Sequence, residues 1–531
     1  MIEFDPVLLH EWLRRSARCV PEKEALICGD ERWSYRKLDA YSDGLAEMFI
    51  EWGVRRQDRV VICTGNCAET VVSLYGTLKA RGIFVVLDGN VKSRRLGQVI
   101  ANTAARVLVA RASQAAVVRE AMADLNTNVR IVWVGASTAF EGHTGVLNIS
   151  WESLFSSLFE TDRGACGPRT SRLPHCLDVD LACLIYTSCT TGGPKGVMCS
   201  HRDMISAARS IIQYLDNRPE DVILNVLPLS FSYGLYQLLM SCMFGGTLVL
   251  ENSFLYPHLV LKRIAQERVT GLPLVPSMVV LMLRMDSISE YDFHTLRYMT
   301  SAGAALPVPH LRSLRCLAPQ AKLFNMYGLT ECVRVCYLAG EELDQRPASV
   351  GRPMPNCEVL IVDDNGNEVG PGDIGELIIR GSNVMQGYWR DPEKSAGAWL
   401  PGPYPASRWL RTGDYFRKDD EGFLYFVCRQ DDMIKTRGER VSPREVEDVA
   451  CELSGVAEAA AIGVPDSVLG QAIKLFLVPR NSNLDAKVVL RHCARRLESF
   501  MVPKYVELMA ALPRTASGKI SRRELRVVEG K

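Results

Sequence analysis

Residues 184–197 read Leu184-Ile185-Tyr186-Thr187-Ser188-Cys189-Thr190-Thr191-Gly192-Gly193-Pro194-Lys195-Gly196-Val197. An apolar strand runs into a loop of hydroxyls and glycines that closes on a lysine. Such a loop can wrap backbone N–H groups, several hydroxyls and one ammonium around phosphate oxygens. The spacing GxxxxGK[ST] is absent, because Lys195 is followed by Gly196, so the Walker-type reading loses its support. Taken alone, the segment has a blander alternative, an ordinary Ser/Thr/Gly turn.

On either side of this loop, short β-branched runs alternate with helical patterns. Arg59–Cys63, Arg130–Val134 and Thr247–Leu250 predict strands, and Asp203–Leu215 predicts a helix. This alternation argues for an α/β fold of stacked βα units around mixed or parallel sheets. Near residue 430 the texture changes. Helices are predicted over Pro443–Leu453 and Ala486–Phe500, and strands over Ala459–Gly463 and Ile473–Val478. The roughly one hundred residues of this tail suffice for a small α/β domain.

The chain has 531 residues, 47% hydrophobic and 23% charged, enough to bury a large core. Lys+Arg 62 against Asp+Glu 61 leaves a net charge of +1, which provides no global field for nucleic acid or an anionic membrane. The most apolar stretch, Leu235–Leu250, is too short to cross a bilayer and is interrupted by Gln237, Ser241 and Gly245-Gly246, so it reads as buried core and no membrane insertion is expected. The N-terminus has no cationic start leading into an apolar run, and the expected compartment is the cytoplasm. The 17 cysteines are scattered; Cys63 with Cys67 and Cys332 with Cys336 lack the CxxC pairs or nearby histidines of zinc sites, and free thiols are expected.

The phosphate-loop segment resembles the signature of the adenylate-forming superfamily: acyl-CoA synthetases, nonribosomal-peptide-type adenylation enzymes and luciferases. The likeness continues in order through Asn325-Met326-Tyr327-Gly328-Leu329-Thr330-Glu331, Gly375-Glu376-Leu377, Arg411-Thr412-Gly413-Asp414, Arg429-Gln430-Asp431-Asp432-Met433-Ile434-Lys435 and Pro513-Arg514-Thr515-Ala516-Ser517-Gly518-Lys519-Ile520. It implies a large N-terminal adenylation core over 1–428, a hinge at 429–431 and a small mobile C-terminal α/β domain over 432–531. It also implies ATP-dependent activation of a small carboxylic acid to acyl-AMP, with release of pyrophosphate, followed by acyl transfer to a phosphopantetheine thiol.

Residue by residue, the resemblance assigns the β- and γ-phosphates to Thr187, Ser188, Thr190, Thr191, Gly192 and Lys195, and the α-phosphate to Thr330. Glu331 would hold Mg²⁺, a hard cation that takes oxygen ligands. Tyr327 would stack on adenine beside the backbone of Ala302, Gly303 and Ala304. Asp414 would accept from the ribose hydroxyls, with Arg429 also at the ribose. Lys519 would bridge the α-phosphate and the acid carboxylate. Asp431 matches the hinge, and Lys435 with Gly438 the face presented for thiolation.

Cys189 and Cys428 stand where the family normally has glycine. A side chain at Cys189 would distort or narrow the phosphate cradle if positive φ or close approach is needed there. This keeps open a second reading, a catalytically impaired member acting as a binding or scaffold protein. Retention of Lys195, Glu331, Asp414, Arg429 and Lys519 argues against it.

One wall of the acyl pocket is expected from Phe231, Ser232, Tyr233 and Tyr236, with Met278 opposite. Peptide-synthetase relatives that take α-amino acids usually carry Asp where Ser232 aligns, to pair with the ammonium. Serine brings no charge, so an acid without an α-amino group is expected, unless the alignment is off by one residue. A fatty, cyclic or aryl acid fits an aromatic lining with hydroxyl tips. Arg334 is either a ligand for a distal polar or anionic group or a structural ion-pair partner. With no carrier domain after Lys519, the expected enzyme is stand-alone, and its thiol is coenzyme A or a separate acyl carrier protein. The wording around Leu227–Leu238 and Met326–Tyr337 leans towards a carrier-loading ligase of a secondary-metabolite cluster.

Overall fold

The computed structural model describes residues 5–125, 128–135, 148–160, 175–187, 195–304, 306–405, 407–436, 439–466, 468–480, 484–514 and 520–529. Packing divides the chain into two units. One holds Met1–Pro347, Pro353–Glu358 and Arg380–Arg408; the other holds Ala348–Arg352, Val359–Ile379 and Trp409–Lys531.

In the first unit, one sheet has the strand order Gly387–Tyr388, Lys195–Ser200, Leu181–Thr187, Ile83–Val86, Arg59–Cys63, Val107–Arg111, Arg130–Val134 and Asn148–Ser150. From Leu181–Thr187 onwards its neighbours run parallel. Val60, Val61, Ile62 and Cys63 are all fully buried, which is why this strand reads as an unbroken apolar run: helices cover both faces of a parallel sheet. A second sheet contains, in order, Cys336–Leu338, Lys322–Tyr327, Tyr298–Ser301, Gly271–Leu274, Val222–Asn225, Thr247–Leu250, Glu24–Cys28 and Glu31–Ser34.

The helix expected at 203–215 spans His201–Leu215. Ser200 caps it and forms a reciprocal capping box with Asp203, satisfying two otherwise orphaned N–H groups. Within Leu235–Leu250, helix Ser232–Phe244 is buried nearly all round. It ends at Gly245, whose φ of 74° leads the chain into strand Thr247–Leu250. Among the described residues, no helix is long and apolar enough to cross a membrane.

In the second unit, strands Arg408–Lys418 and Leu424–Arg429 pair antiparallel, with Asp414 opposite Arg429. A further sheet contains Glu439–Val441, Ile434–Thr436, Gly470–Pro479 and Val456–Asp466, with Tyr505–Leu508 beside Gly470–Pro479. Helices Pro443–Cys451 and Ala486–Arg496 belong with it, and its core includes Ile434, Val446, Ile473, Leu475 and Val489. The tail therefore has a core of its own. Residues from Trp409 and two earlier segments group with the tail, because the strand pair ending at Arg429 is tied to it, the Ser442 hydroxyl donating to the Val427 carbonyl at 2.8 Å.

Candidate active site

Thr187 ends one strand and Lys195 begins the next, and the two are paired directly across the antiparallel ladder. The quoted loop thus joins the two ends of a β-hairpin. Ser188, Cys189, Thr190, Thr191 and Gly192 lie outside the described residues. Lys195 Nζ sits 2.9 Å from Glu331 Oε1, with the two side chains 18% and 13% exposed. The Tyr388 hydroxyl donates to the same oxygen at 3.0 Å, and the Lys195 ammonium lies over the Tyr388 ring, 3.8 Å from its centroid. Tyr388 is carried by the short strand Gly387–Tyr388, which pairs with the lysine's own strand, Tyr388 opposite Val197. Partial burial lowers screening, so this charge pair is stronger than a surface one.

Tyr388 was not among the residues expected from sequence. It lies 57 residues from Glu331, and no spacing rule links the two.

Glu331 sits on a tight turn after strand Lys322–Tyr327. Val333 N–H donates to the Leu329 carbonyl at 2.7 Å, and Val335 N–H to the Tyr327 carbonyl at 3.0 Å. The turn depends on Gly328: a Cβ there would lie 2.2 Å from the Val333 carbonyl oxygen. Val333 adopts φ 64°, a strained conformation for a β-branched residue. Asn383 holds the turn by donating its side-chain N–H groups to the carbonyls of Cys332 at 2.9 Å and Arg334 at 3.0 Å. Asn383 was also missed from sequence.

Tyr298–Ser301 and Lys322–Tyr327 are parallel neighbours, Ser301 opposite Asn325. Ala302, Gly303 and Ala304 therefore leave one strand, and Tyr327 closes the other, at the same carboxyl edge of the sheet. In open α/β sheets that edge is where ligands bind. Gly303 has φ 93°, a conformation side chains rarely take.

In the second unit, Asp414 is 3% exposed, and Arg429 Nε lies 3.2 Å from its Oδ1. Asp431 lies in a short 3₁₀ turn, Gln430–Asp432, whose backbone accepts from Arg526 at 3.1 Å. Lys435 is exposed on strand Ile434–Thr436. Lys519 lies outside the described residues. Cys428 is 4% exposed and within an ordinary extended strand, its thiol 3.6 Å from Met433 sulfur and pushed up to about 12 by burial. No positive φ is required there, so a side chain is accommodated.

Of the acyl-pocket candidates, Phe231 is 39% exposed at the N-cap of helix Ser232–Phe244, and Ser232 opens it. The Tyr233 hydroxyl lies 2.6 Å from Thr300 Oγ1, and the Arg334 guanidinium lies over the Tyr233 ring at 5.0 Å. Tyr236 and Met278 are buried at 2% and 5%. The titratable groups that reach Tyr236 are Cys199, Asp203, Cys183 and Cys332, so it faces a different neighbourhood from Tyr233. A cavity of about 320 Å³ lies at the other end of the strands, lined by residues such as Arg297, Tyr298 and Lys322, which begin or precede strands rather than end them.

Mg²⁺ commonly binds through one or two carboxylates plus substrate phosphates rather than in an all-protein cage. Glu331, held by Lys195 and Tyr388, is the carboxylate that would hold it. Among the described residues, no cluster of three or more His, Cys, Asp or Glu side chains could hold a metal. The donor set thus fits an ion that takes most of its ligands from phosphate.

Residues 13–389 match the model of the AMP-binding enzyme family, and residues 445–519 match the AMP-binding enzyme C-terminal domain. The long-chain-fatty-acid–CoA ligase of Salmonella typhimurium is 31% identical over 538 residues, covering 98% of this chain and 94% of that one. The indoleacetate–CoA ligase of Aromatoleum aromaticum is 30% identical over 530 residues, covering 98% and 97%. An anthranilate CoA ligase solved with anthranoyl-AMP superposes with a TM-score of 0.86 at 25% identity, covering 99% and 98%. With these matches over nearly its whole length, the chain belongs to the AMP-binding enzyme family, as a ligase that activates a carboxylic acid as an acyl-adenylate and passes the acyl group to a thiol.

Proposed function

We propose that this ligase takes a carboxylic acid without an α-amino group and transfers it to coenzyme A. The observation that carries the reading is the contact set of Lys195, Glu331 and Tyr388 at the mouth of the hairpin. The CoA ligases among the curated relatives favour coenzyme A over a separate carrier protein. The 39% exposed Phe231 and the uncharged Ser232 favour an acid with no ammonium to pair.

Adenylation brings a carboxylate to a triphosphate that already bears about four negative charges, so the task is charge neutralisation and in-line alignment rather than proton transfer. Lys195 neutralises phosphate oxygens, together with the hydroxyls of Thr187, Ser188, Thr190 and Thr191. Thr330 holds the α-phosphate. Mg²⁺ on Glu331 would supply further neutralisation of the phosphate charge. Tyr327 and the Ala302–Ala304 backbone hold adenine, and Asp414 with Arg429 holds the ribose. Lys519 is the residue that its motif assigns to bridging the α-phosphate and the acid carboxylate. Rotation about Asp431 presents the Lys435 face for thiolation, a hinge motion that sets when the thiol gains access.

The test is acid-dependent exchange of labelled pyrophosphate into ATP, followed by thioester formation with coenzyme A or with a phosphopantetheinylated carrier protein. Lys519→Ala should lower exchange on the order of a hundredfold. A folded protein silent with every acid would sink the reading and favour an impaired member. Thioester formed only on the carrier would overturn the choice of coenzyme A.

A further inference from the structure

Arg334 is 4% exposed, yet among the described residues no carboxylate lies within ion-pair distance of it. Its Nε is buried without a hydrogen-bond partner. Other buried cations in this chain are treated differently. Lys79, fully buried, is held by Asp39 and Asp43 at 2.5 and 2.8 Å. Even the half-buried Arg522, 23% exposed, is paired, with Glu447 at 2.6 Å. An unpaired buried charge is costly, and native chains normally pair it or place it where a ligand completes it.

Arg334 is aimed by the turn that carries Glu331. The left-handed Val333 reverses the chain between them. Glu331 goes to Lys195 and Tyr388, whereas the Arg334 guanidinium goes to the Tyr233 ring and close to Tyr214, whose hydroxyl is held well above its ordinary range by burial despite the nearby cation. Asn383 clamps the Arg334 carbonyl, fixing the base of the side chain. Around the guanidinium are aromatic faces: Tyr233, and Tyr214 stacked on Tyr337 at 4.0 Å. These rings shield the charge from water but do not neutralise it. The structural ion-pair role weighed for Arg334 thus finds no partner among the described residues.

We propose that Arg334 binds a second carboxylate of the substrate, remote from the one that is activated, so that the enzyme acts on a dicarboxylic acid. This rests on the adenylating assignment of the Lys195–Glu331 site and adds the substrate class. A guanidinium presents a planar fork of donors matched to a carboxylate, and desolvation by the surrounding rings makes the pairing selective against acids that leave it empty.

The experiment measures pyrophosphate exchange with hexanoate, octanoate and 3-phenylpropanoate, each against its counterpart bearing a second carboxylate at the chain end or on the ring. In the wild-type enzyme a dicarboxylate should exceed its monocarboxylate partner in kcat/KM by about thirtyfold or more. Arg334→Met, which keeps volume and removes charge, should reverse the order, and Arg334→Lys should keep part of the preference. Exchange with monocarboxylates preferred, or a preference unmoved by Arg334→Met, overturns the proposal while leaving the adenylation reading intact. Silence with every acid overturns both. Should Arg334→Met fail to fold, thermal shift of the wild-type protein decides: hexanedioate raising the melting temperature where hexanoate does not is the expected result, and equal shifts overturn it.

Discussion

The hydroxyl of Tyr388 and the ammonium of Lys195 meet on one oxygen, Glu331 Oε1, at 3.0 and 2.9 Å. The strand bearing Tyr388 pairs with the strand bearing Lys195, so both donors are fixed by the same ladder. Glu331 is thereby held at the hairpin mouth by contacts within the chain. Preorganisation of this kind spares reorganisation during reaction.

Tyr388→Phe keeps the ring under Lys195 and deletes the donor to Glu331. Residues that orient a metal-binding carboxylate typically matter about tenfold or more. The Mg²⁺ concentration for half-maximal exchange should rise about tenfold, with the melting temperature little changed. An unaltered Mg²⁺ dependence would remove Tyr388 from the site.

Lys195→Ala should lower exchange by about a hundredfold or more, since it deletes the cation proposed to neutralise phosphate charge. The fold should survive, because the lysine is at the end of a strand whose other pairings persist. Circular dichroism with exchange kinetics checks both.

Gly328→Ala places a Cβ 2.2 Å from the Val333 carbonyl and 2.8 Å from Arg334 Cα, both backbone atoms that cannot swing aside. Overpacking of this kind costs about 1–3 kcal/mol. Exchange should fall with every acid, while urea unfolding reports a modest loss of stability.

Asn383→Ala removes two donors from the carbonyls of Cys332 and Arg334 and leaves buried acceptors unpaired. The expected loss is about 1–3 kcal/mol by denaturant unfolding. KM for the acid should rise as well, because the turn then no longer holds Arg334 in place.

Stability should fall on acidification through a pair of buried histidines. Burial pushes His201 down to about 4 from 6.5, against opposing help from Asp180 and Asp178; His10, its edge-to-face neighbour at 5.8 Å, is pushed well down too. His201 Nδ1 accepts from the Leu9 N–H at 3.2 Å, which requires an unprotonated nitrogen. Between pH 6.5 and about 4 the unfolded chain takes up the proton and the folded one does not, so stability is lost as pH falls through that window. The His201 share is on the order of 3 kcal/mol. His201→Asn should flatten the pH dependence of the urea midpoint; an unchanged slope would place its cause elsewhere.

Much of this protein was legible in its sequence. The strands Arg59–Cys63, Arg130–Val134 and Thr247–Leu250 fall where their apolar runs predict, because a strand buried on both faces must be apolar throughout. Lys195 stands out because it closes a hydroxyl- and glycine-rich loop, and Thr330 with Glu331 because they lie in a segment that resembles a family motif. What depends on contacts far apart in the chain was decided only by tertiary structure. Tyr388 reaches Glu331 through sheet pairing across 57 residues. Cys428 sits in an extended strand that needs no glycine. Arg334 differs from an ordinary ion-pair arginine by the absence of an acid beside it among the described residues, and a missing neighbour has no signature in a linear sequence.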